Sequence, residues 1–318
     1  MTRLAAQEKL EFYPTPLPVI DLIAKHLVVP QTGDGILRLF DPCAGTGEPL
    51  ARLADHLQQG LNSERFEIQT WGNELHPQRA ADAAKRLDHV LQAPFQSVGW
   101  TPKHGMATLL FLNPPYDQAE RSSRYRRQET HFLKRATQAL VKDGILIYII
   151  NPSAATWETA SLLYENYFAL EFYRFPDDYY DAFNQFVVMG RKREEPVGWY
   201  QFTQQVYAFE ALNPTGYHHH TPPTLRAFAD PGGRSYRVPT VHSYQATLQR
   251  TIWTKEEVKE VLTAPDTPFV PADNDARTVT VEPLRRGHKA GAMASGAMGT
   301  MAVESGVIKS RAVPRVVV

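Results

Sequence analysis

Asn113-Pro114-Pro115-Tyr116 closes the apolar run Thr108 to Asn113 and is a moderately specific string whose bland reading is a loop with a proline stop. Two consecutive prolines fix the backbone and donate no hydrogen bonds, so the chain cannot continue as a strand. The Asn113 side-chain oxygen and the Pro114 carbonyl can then point together at one exposed amino group, accepting both its hydrogens. Tyr116 offers a ring face on which a planar group can stack. Upstream, Asp41-Pro42-Cys43-Ala44-Gly45-Thr46-Gly47-Glu48 follows the apolar run Ile36 to Phe40. A strand, a glycine-bearing turn and a helix in succession let a ligand approach the backbone and meet free helix N–H groups. The dinucleotide fingerprint is absent because its third glycine would fall at Leu50, and no Gly-Lys-Ser/Thr of a phosphate loop is present. Glu74 ends the next apolar run, where a carboxylate can accept from both hydroxyls of a ribose. Phe95 ends the third, placed to pack on an adenine ring or simply to fill the core. The spacing of Asp41, Gly45 and Glu74 suggests an adenosine-type ligand across two adjacent strand ends.

These residues need a scaffold of strands that end together. Ile36 to Phe40, Phe66 to Asn73, His89 to Phe95, Thr108 to Asn113, Gly144 to Asn151, Leu170 to Phe175 and Gln185 to Lys192 read as seven strands. Amphipathic stretches separate them: LARLADHLQQ, HPQRAADAAKRLDHV, ETHFLKRATQALVKDG with Gly144 as its cap, and ATWETASLLYENYF opened by Thr156. The alternation predicts an α/β fold with a seven-stranded, doubly wound, Rossmann-like sheet over residues 1–195. From 196 to 318 the character changes to Pro-, Tyr-, His- and Gly-rich sequence, a short charged helix at Trp253 to Ala264 and a strand at Thr278 to Leu284. This predicts a small C-terminal α+β region for accessory or target-recognition duty.

Composition narrows the partners. The 318 residues carry 34 Lys plus Arg and 34 Asp plus Glu, so attraction to a polyanion has to be local. A single cysteine, Cys43, excludes an internal disulfide framework and any multi-cysteine zinc site. No apolar run is long enough to span a membrane and MTRLAAQEKLEF lacks a signal core, so the expectation is a cytoplasmic protein. His218-His219-His220 has no acid or cysteine at ligand spacing, and no metal is expected. Cys43 reads as a small filler, since no histidine base accompanies it.

The ordered pair DPCAGTGE and NPPY resembles the Rossmann-like, S-adenosylmethionine-dependent amino-methyltransferases that act on adenine N6, or cytosine N4, in DNA. The likeness covers about residues 10 to 193. The stretch Phe12-Tyr13-Pro14-Thr15-Pro16-Leu17-Pro18-Val19 looks like the family's segment that cups the methionine end of the cofactor, and its place matches the subgroup with a C-terminal target-recognition region. The resemblance implies S-adenosylmethionine as cofactor, held by Tyr13, Thr15, Pro16, Asp41, Ala44, Gly45, Gly47, Glu74 and Phe95. It implies DNA as partner and admits a partner subunit of a restriction-modification or phage-defence system. An acid that the family often places before the third-strand aromatic is Pro94 here, so the cofactor's adenine amino group falls to backbone or Gln92.

The same resemblance implies a mechanism without metal or covalent intermediate. The target base is extruded into a pocket walled by Tyr116 and an aromatic of the loop Phe175 to Phe183, with Phe175 first in order, then Tyr179 and Phe183. Asn113 and Pro114, set by Pro115, then hold the amino nitrogen in line with the sulfonium methyl. The stretch 119–135 carries six basic residues against two acidic, among them Arg121, Arg124, Arg126 and Arg127, in a loop at the pocket rim. Phosphate contact is the functional reading and a solvated charged loop the bland one. Arg285, Arg286 and Lys289 form a smaller basic group. Adenine N6 leads among the acceptors. A protein glutamine amide or guanine N2 in RNA presents the same planar NH2, and an inactive cofactor-binding nucleic-acid module is the alternative from another class.

Overall fold

The computed structural model describes residues 14–61, 64–116, 127–215, 223–228, 232–242 and 245–251. In chain order the helices are α1 Leu17–Ala24, α2 Glu48–Gly60, α3 Pro77–Ala83, α4 Gln128–Ala136, α5 Trp157–Asn166, α6 Asp177–Phe183 and α7 Thr203–Glu210. The strands are β1 Leu27–Val28, β2 Gly35–Asp41, β3 Phe66–Glu74, β4 His89–Gln92, β5 Val98–Thr101, β6 Ala107–Leu112, β7 Leu140–Ile150, β8 Tyr167–Arg174, β9 Phe186–Lys192, β10 Arg226–Ala227, β11 Tyr236–Arg237 and β12 Thr247–Arg250.

One sheet holds eight of them in the order β10-β8-β9-β7-β6-β2-β3-β4. All neighbours pair parallel except β9, which runs antiparallel to both β7 and β8. From β2 the chain winds outward through β3 and β4, then returns to β6 on the other side. The order therefore reverses between β2 and β6, and a crevice opens at the carboxyl ends of the strands at such a switch point. Asp41, Glu74 and Asn113 all stand at that edge.

Alternation along the strands makes two cores, one on each face. In β7, Leu146, Tyr148 and Ile150 join Phe40, Leu110, Phe132 and Leu163, while Ile145, Ile147 and Ile149 join Ile20, Leu53, Phe111 and Val187. A central parallel sheet covered on both faces reads as continuous apolar runs, which is why β2 and β6 are buried at every position.

The α/β, doubly wound architecture is the expected one, and the differences lie in element boundaries. The strand expected to reach Phe95 ends at Gln92, and Phe95 opens a single 3-10 turn, Phe95–Ser97, because Pro94 cannot extend a ladder. The helix expected to run to Gly144 ends at Ala136, and β7 starts at Leu140, pairing with Ala107. The seven expected strands gain the short β10 as an eighth at the edge. The core does not divide at residue 195, since Val206, Phe209 and Leu248 lie in one face cluster and Phe228, Tyr236 and Val238 in the other. The described C-terminal residues instead add edges, β11 to β1 and β12 to β5. The expected helix 253–264, the strand 278–284 and the basic group at 285–289 lie outside the described residues.

Candidate active site

The switch point holds a cavity of about 280 Å³. The glycine turn enters it first. Gly45 and Gly47 take positive φ, 55° and 77°, where L side chains are strained, and a Cβ on Gly47 would come within 3.1 Å of the Ala83 backbone. The turn is tied to the strand-end acid: Gly45 N–H donates to Glu74 Oε2 at 2.9 Å. Glu74 Oε1 accepts from His76 N–H at 2.8 Å and from Arg79 Nε and Nη2 at 3.0 and 2.8 Å. A carboxylate has about four lone-pair positions, so with Arg79 in place Oε2 keeps one for a ligand hydroxyl.

Asp41 is buried, and its Oδ1 accepts from Cys43 N–H at 2.9 Å. Burial pushes this carboxyl up to about 7 from 3.8, opposed by the Cys43 contacts and reinforced by the Glu74 charge. Burial, then the two carboxyls, hold the Cys43 thiol well above its ordinary range, so it stays protonated. Its Sγ donates to the Asn113 backbone oxygen at 3.1 Å. Cys43 thus links the glycine turn to the proline motif.

The proline motif forms the opposite wall. Asn113 Nδ2 donates to Thr15 Oγ1 at 3.0 Å, while Asn113 Oδ1 accepts from the Tyr116 hydroxyl. Tyr116 Oη in turn accepts from Gln185 Nε2 at 2.6 Å. The segment before α1 is therefore bound directly to the proline motif through Thr15.

Of the residues singled out in the sequence, Thr15, Asp41, Ala44, Glu74, Phe95, Asn113, Pro114, Pro115 and Tyr116 all line the cavity. Gly45, Gly47 and Pro16 are not in the lining; they shape the walls from behind, with Pro16 capping α1 through its carbonyl. Phe95 is only 3% exposed and packs on Phe132 at 5.1 Å between centroids, so it is both core and lining. Phe175 is the clear correction. Its ring is fully buried in the cluster that holds Val187 and Met189, packs on Phe183 at 6.3 Å between centroids and does not line the cavity. Arg127 is also redirected: it turns inward and pairs with the buried Glu129 at 2.6 Å. Tyr13, Arg121, Arg124 and Arg126, and the histidines at 218–220, lie outside the described residues.

A model of an uncharacterised methyltransferase family, DUF6094, matches residues 1–211. The chain belongs to this methyltransferase family. No curated protein matches it. Among solved structures, the methyltransferase is similar to a type I restriction-modification methyltransferase subunit from Streptococcus thermophilus (18% identity, TM-score 0.43, 57% of this chain and 44% of that one). It is similar also to the M protein of the type I restriction enzyme EcoKI (16%, 0.44, 59% and 46%). A third is an S-adenosylmethionine-dependent O-methyltransferase from Thermotoga maritima (16%, 0.41, 59% and 69%). The chain spans less than half the length of the two restriction subunits.

Sequence reasoning missed four residues of the methyltransferase's site. Leu75, 62% exposed, follows the strand-end acid and lines the cavity; an apolar side chain directly after Glu74 was the available signal. Arg79, one helical turn into α3, pairs with Glu74. Asn73 lines the cavity and bridges the Pro42 and Ala93 carbonyls through Nδ2, both at 3.1 Å. Gln185 is far away in sequence, and no local pattern announces it.

Two measurements follow for the methyltransferase. The native state holds the Asp41 proton up to about pH 7, whereas the unfolded chain releases it near 3.8. The native state thus binds more protons in that window, and stability falls as pH rises through it, by up to roughly 1.4 kcal/mol per unit. Urea midpoints taken from pH 4 to 7 should fall more steeply for wild type than for Asp41→Asn; parallel profiles would remove this account of Asp41. Phe175→Leu should cost roughly 1–2 kcal/mol of stability, because a smaller, differently shaped side chain leaves space among Val187, Met189 and Phe183. Turnover by the folded enzyme should stay within about twofold, and a hundredfold loss at unchanged stability would return Phe175 to the site.

Proposed function

We propose that the protein transfers the methyl group of S-adenosylmethionine to the exocyclic N6 of adenine in DNA, after flipping the base from the helix. One observation carries the reading: the Asn113 carboxamide, between Thr15 and Tyr116, shares one cavity with Asp41 and Glu74. An acceptor for a planar amine and acids suited to a cationic, hydroxyl-bearing ligand stand there within one ligand's reach.

The residues present fit the cofactor. Glu74 supplies negative charge, Asp41 and Glu74 supply hydroxyl acceptors, and Leu75 and Phe95 supply apolar walls for a flat ring. The Asn73 side-chain oxygen, buried at the cavity wall, has no hydrogen-bond partner among the described residues. A ligand N–H satisfies such an acceptor, and the burial cost of an unpaired one favours filling it. With Pro94 in place of an acid, Asn73 or the nearby backbone is left to read the cofactor's amino group. When bound, the cofactor supplies an activated methyl group on a sulfonium.

The chain's own residues do the rest by positioning. Asn113 Oδ1 and the Pro114 carbonyl accept the two amine hydrogens and aim the nitrogen lone pair. Tyr116 and the half-buried aromatics of α6, Tyr179, Tyr180 and Phe183, wall the flipped base. Alignment of this kind is worth up to roughly 7–11 kcal/mol of the barrier. Once methylated, the cationic nitrogen is strongly acidic and releases its proton to water, so no dedicated base is required. Arg121, Arg124 and Arg126 are proposed to contact phosphates.

Tritiated S-adenosylmethionine should label unmethylated duplex DNA in preference to transfer and ribosomal RNA or a protein lysate. Label appearing in protein and not in DNA would reassign the acceptor to a glutamine amide.

A further inference from the structure

We propose that Gln185 is a positioning residue that sets which end of the Asn113 amide faces the acceptor amine. The inference rests on the reading of Asn113 as the amine clasp. Gln185 precedes β9 and is 2% exposed. Its backbone oxygen accepts the Phe175 N–H at 3.3 Å, which anchors it to the end of β8. Its side-chain Nε2 donates to Tyr116 Oη at 2.6 Å.

The direction of the relay follows from donor counting. An amide N–H only donates, so Tyr116 Oη accepts from Gln185 and spends its single proton elsewhere. That proton goes to Asn113 Oδ1, and an amide nitrogen could not receive it. The oxygen end of Asn113 is therefore fixed on the Tyr116 side, and Nδ2 is sent to Thr15 Oγ1 at 3.0 Å. Thr15 and Tyr116 are both hydroxyls, each able to donate or accept, and by themselves they tolerate either orientation of the carboxamide. Reversed, Asn113 would present N–H groups to an NH2, donor against donor, and the clasp would lose one of its two oxygens. With its Nε2 toward Tyr116, as in the structure, Gln185 breaks that degeneracy from outside the reacting pair.

Gln185→Glu tests it, because a carboxylate accepts the Tyr116 proton and leaves Asn113 Oδ1 without its donor. With tritiated S-adenosylmethionine and unmethylated duplex DNA, kcat should fall by about 10²-fold, the size of one preorganised donor, with the KM for cofactor within about twofold. In a Tyr116→Phe background the same substitution should cost less than about twofold, since the relay is already cut. A second readout needs no acceptor. In ¹⁵N-labelled protein, the Asn113 side-chain NH2 pair, identified by its loss in Asn113→Asp, should shift in Gln185→Glu and stay in place when Tyr116→Phe is already present. If Gln185→Glu fails to fold, Gln185→Met, similar in shape and without a donor, carries the same comparison. Additive losses with Tyr116→Phe, or an unmoved NH2 pair, overturn the proposal. Absence of any transfer to DNA by wild type instead overturns the functional reading, and the NMR comparison still decides the orientation.

Discussion

Asn113→Ala is expected to lower kcat for methyl transfer by about 10³-fold, with cofactor affinity changed by less than about tenfold. In the proposed reaction the carboxamide oxygen contacts a nitrogen that becomes cationic as the methyl arrives, so its hydrogen bond strengthens in the transition state, and charge-assisted bonds are worth roughly twice neutral ones. The remainder of the effect is lost alignment. Asp41 and Glu74 are untouched by the change, which keeps binding largely intact, although the Thr15 contact is lost. Calorimetry for affinity and single-turnover labelling for rate separate the two quantities. A tenfold or smaller loss of kcat would mean that another acceptor holds the amine.

Glu74→Ala should act in the opposite sense, raising the Kd for S-adenosylmethionine by about 10²-fold and lowering stability by roughly 3 kcal/mol. One buried carboxylate organises the Gly45 turn, the entry to α3 and the Arg79 guanidinium together. Its removal takes away one partner of a cation that is only 20% exposed, as well as the proposed hydroxyl acceptor. Glu74→Gln, which keeps an oxygen for one side and offers N–H2 to donors on the other, should fall between. Unchanged affinity in Glu74→Ala, measured by calorimetry below its melting temperature, would remove Glu74 from the cofactor site.

The strand ends were legible because each is punctuated: Asp41 by Pro42 and the glycine turn, Glu74 by Pro77, Asn113 by two prolines. Thr156 capping α5 was equally local, and its Oγ1 accepts the Thr159 N–H at 3.3 Å. The start of β7 was not legible, since Ala139 and Leu140 continue the apolar stripe of α4 and periodicity alone cannot tell where the helix yields to pairing with Ala107. Phe175 was misplaced because an aromatic beyond a strand end has the same spelling whether its ring fills the core or faces a ligand. Strands of two residues, Arg226–Ala227 and Tyr236–Arg237, have no period to read, and their existence depends on edges offered by β8 and β1. Gln185 and Arg79 owe their roles to long-range or helical proximity that only the folded chain provides.

The most direct measurement is mass spectrometry of nucleosides from unmethylated duplex DNA incubated with S-adenosylmethionine bearing a deuterated methyl group. The account predicts deuterated N6-methyldeoxyadenosine with wild type and essentially none with Asn113→Ala. Deuterated N4-methyldeoxycytidine, or label confined to RNA or protein, would contradict the assignment of the acceptor. No transfer to any acceptor by a protein that binds the cofactor would contradict catalysis itself.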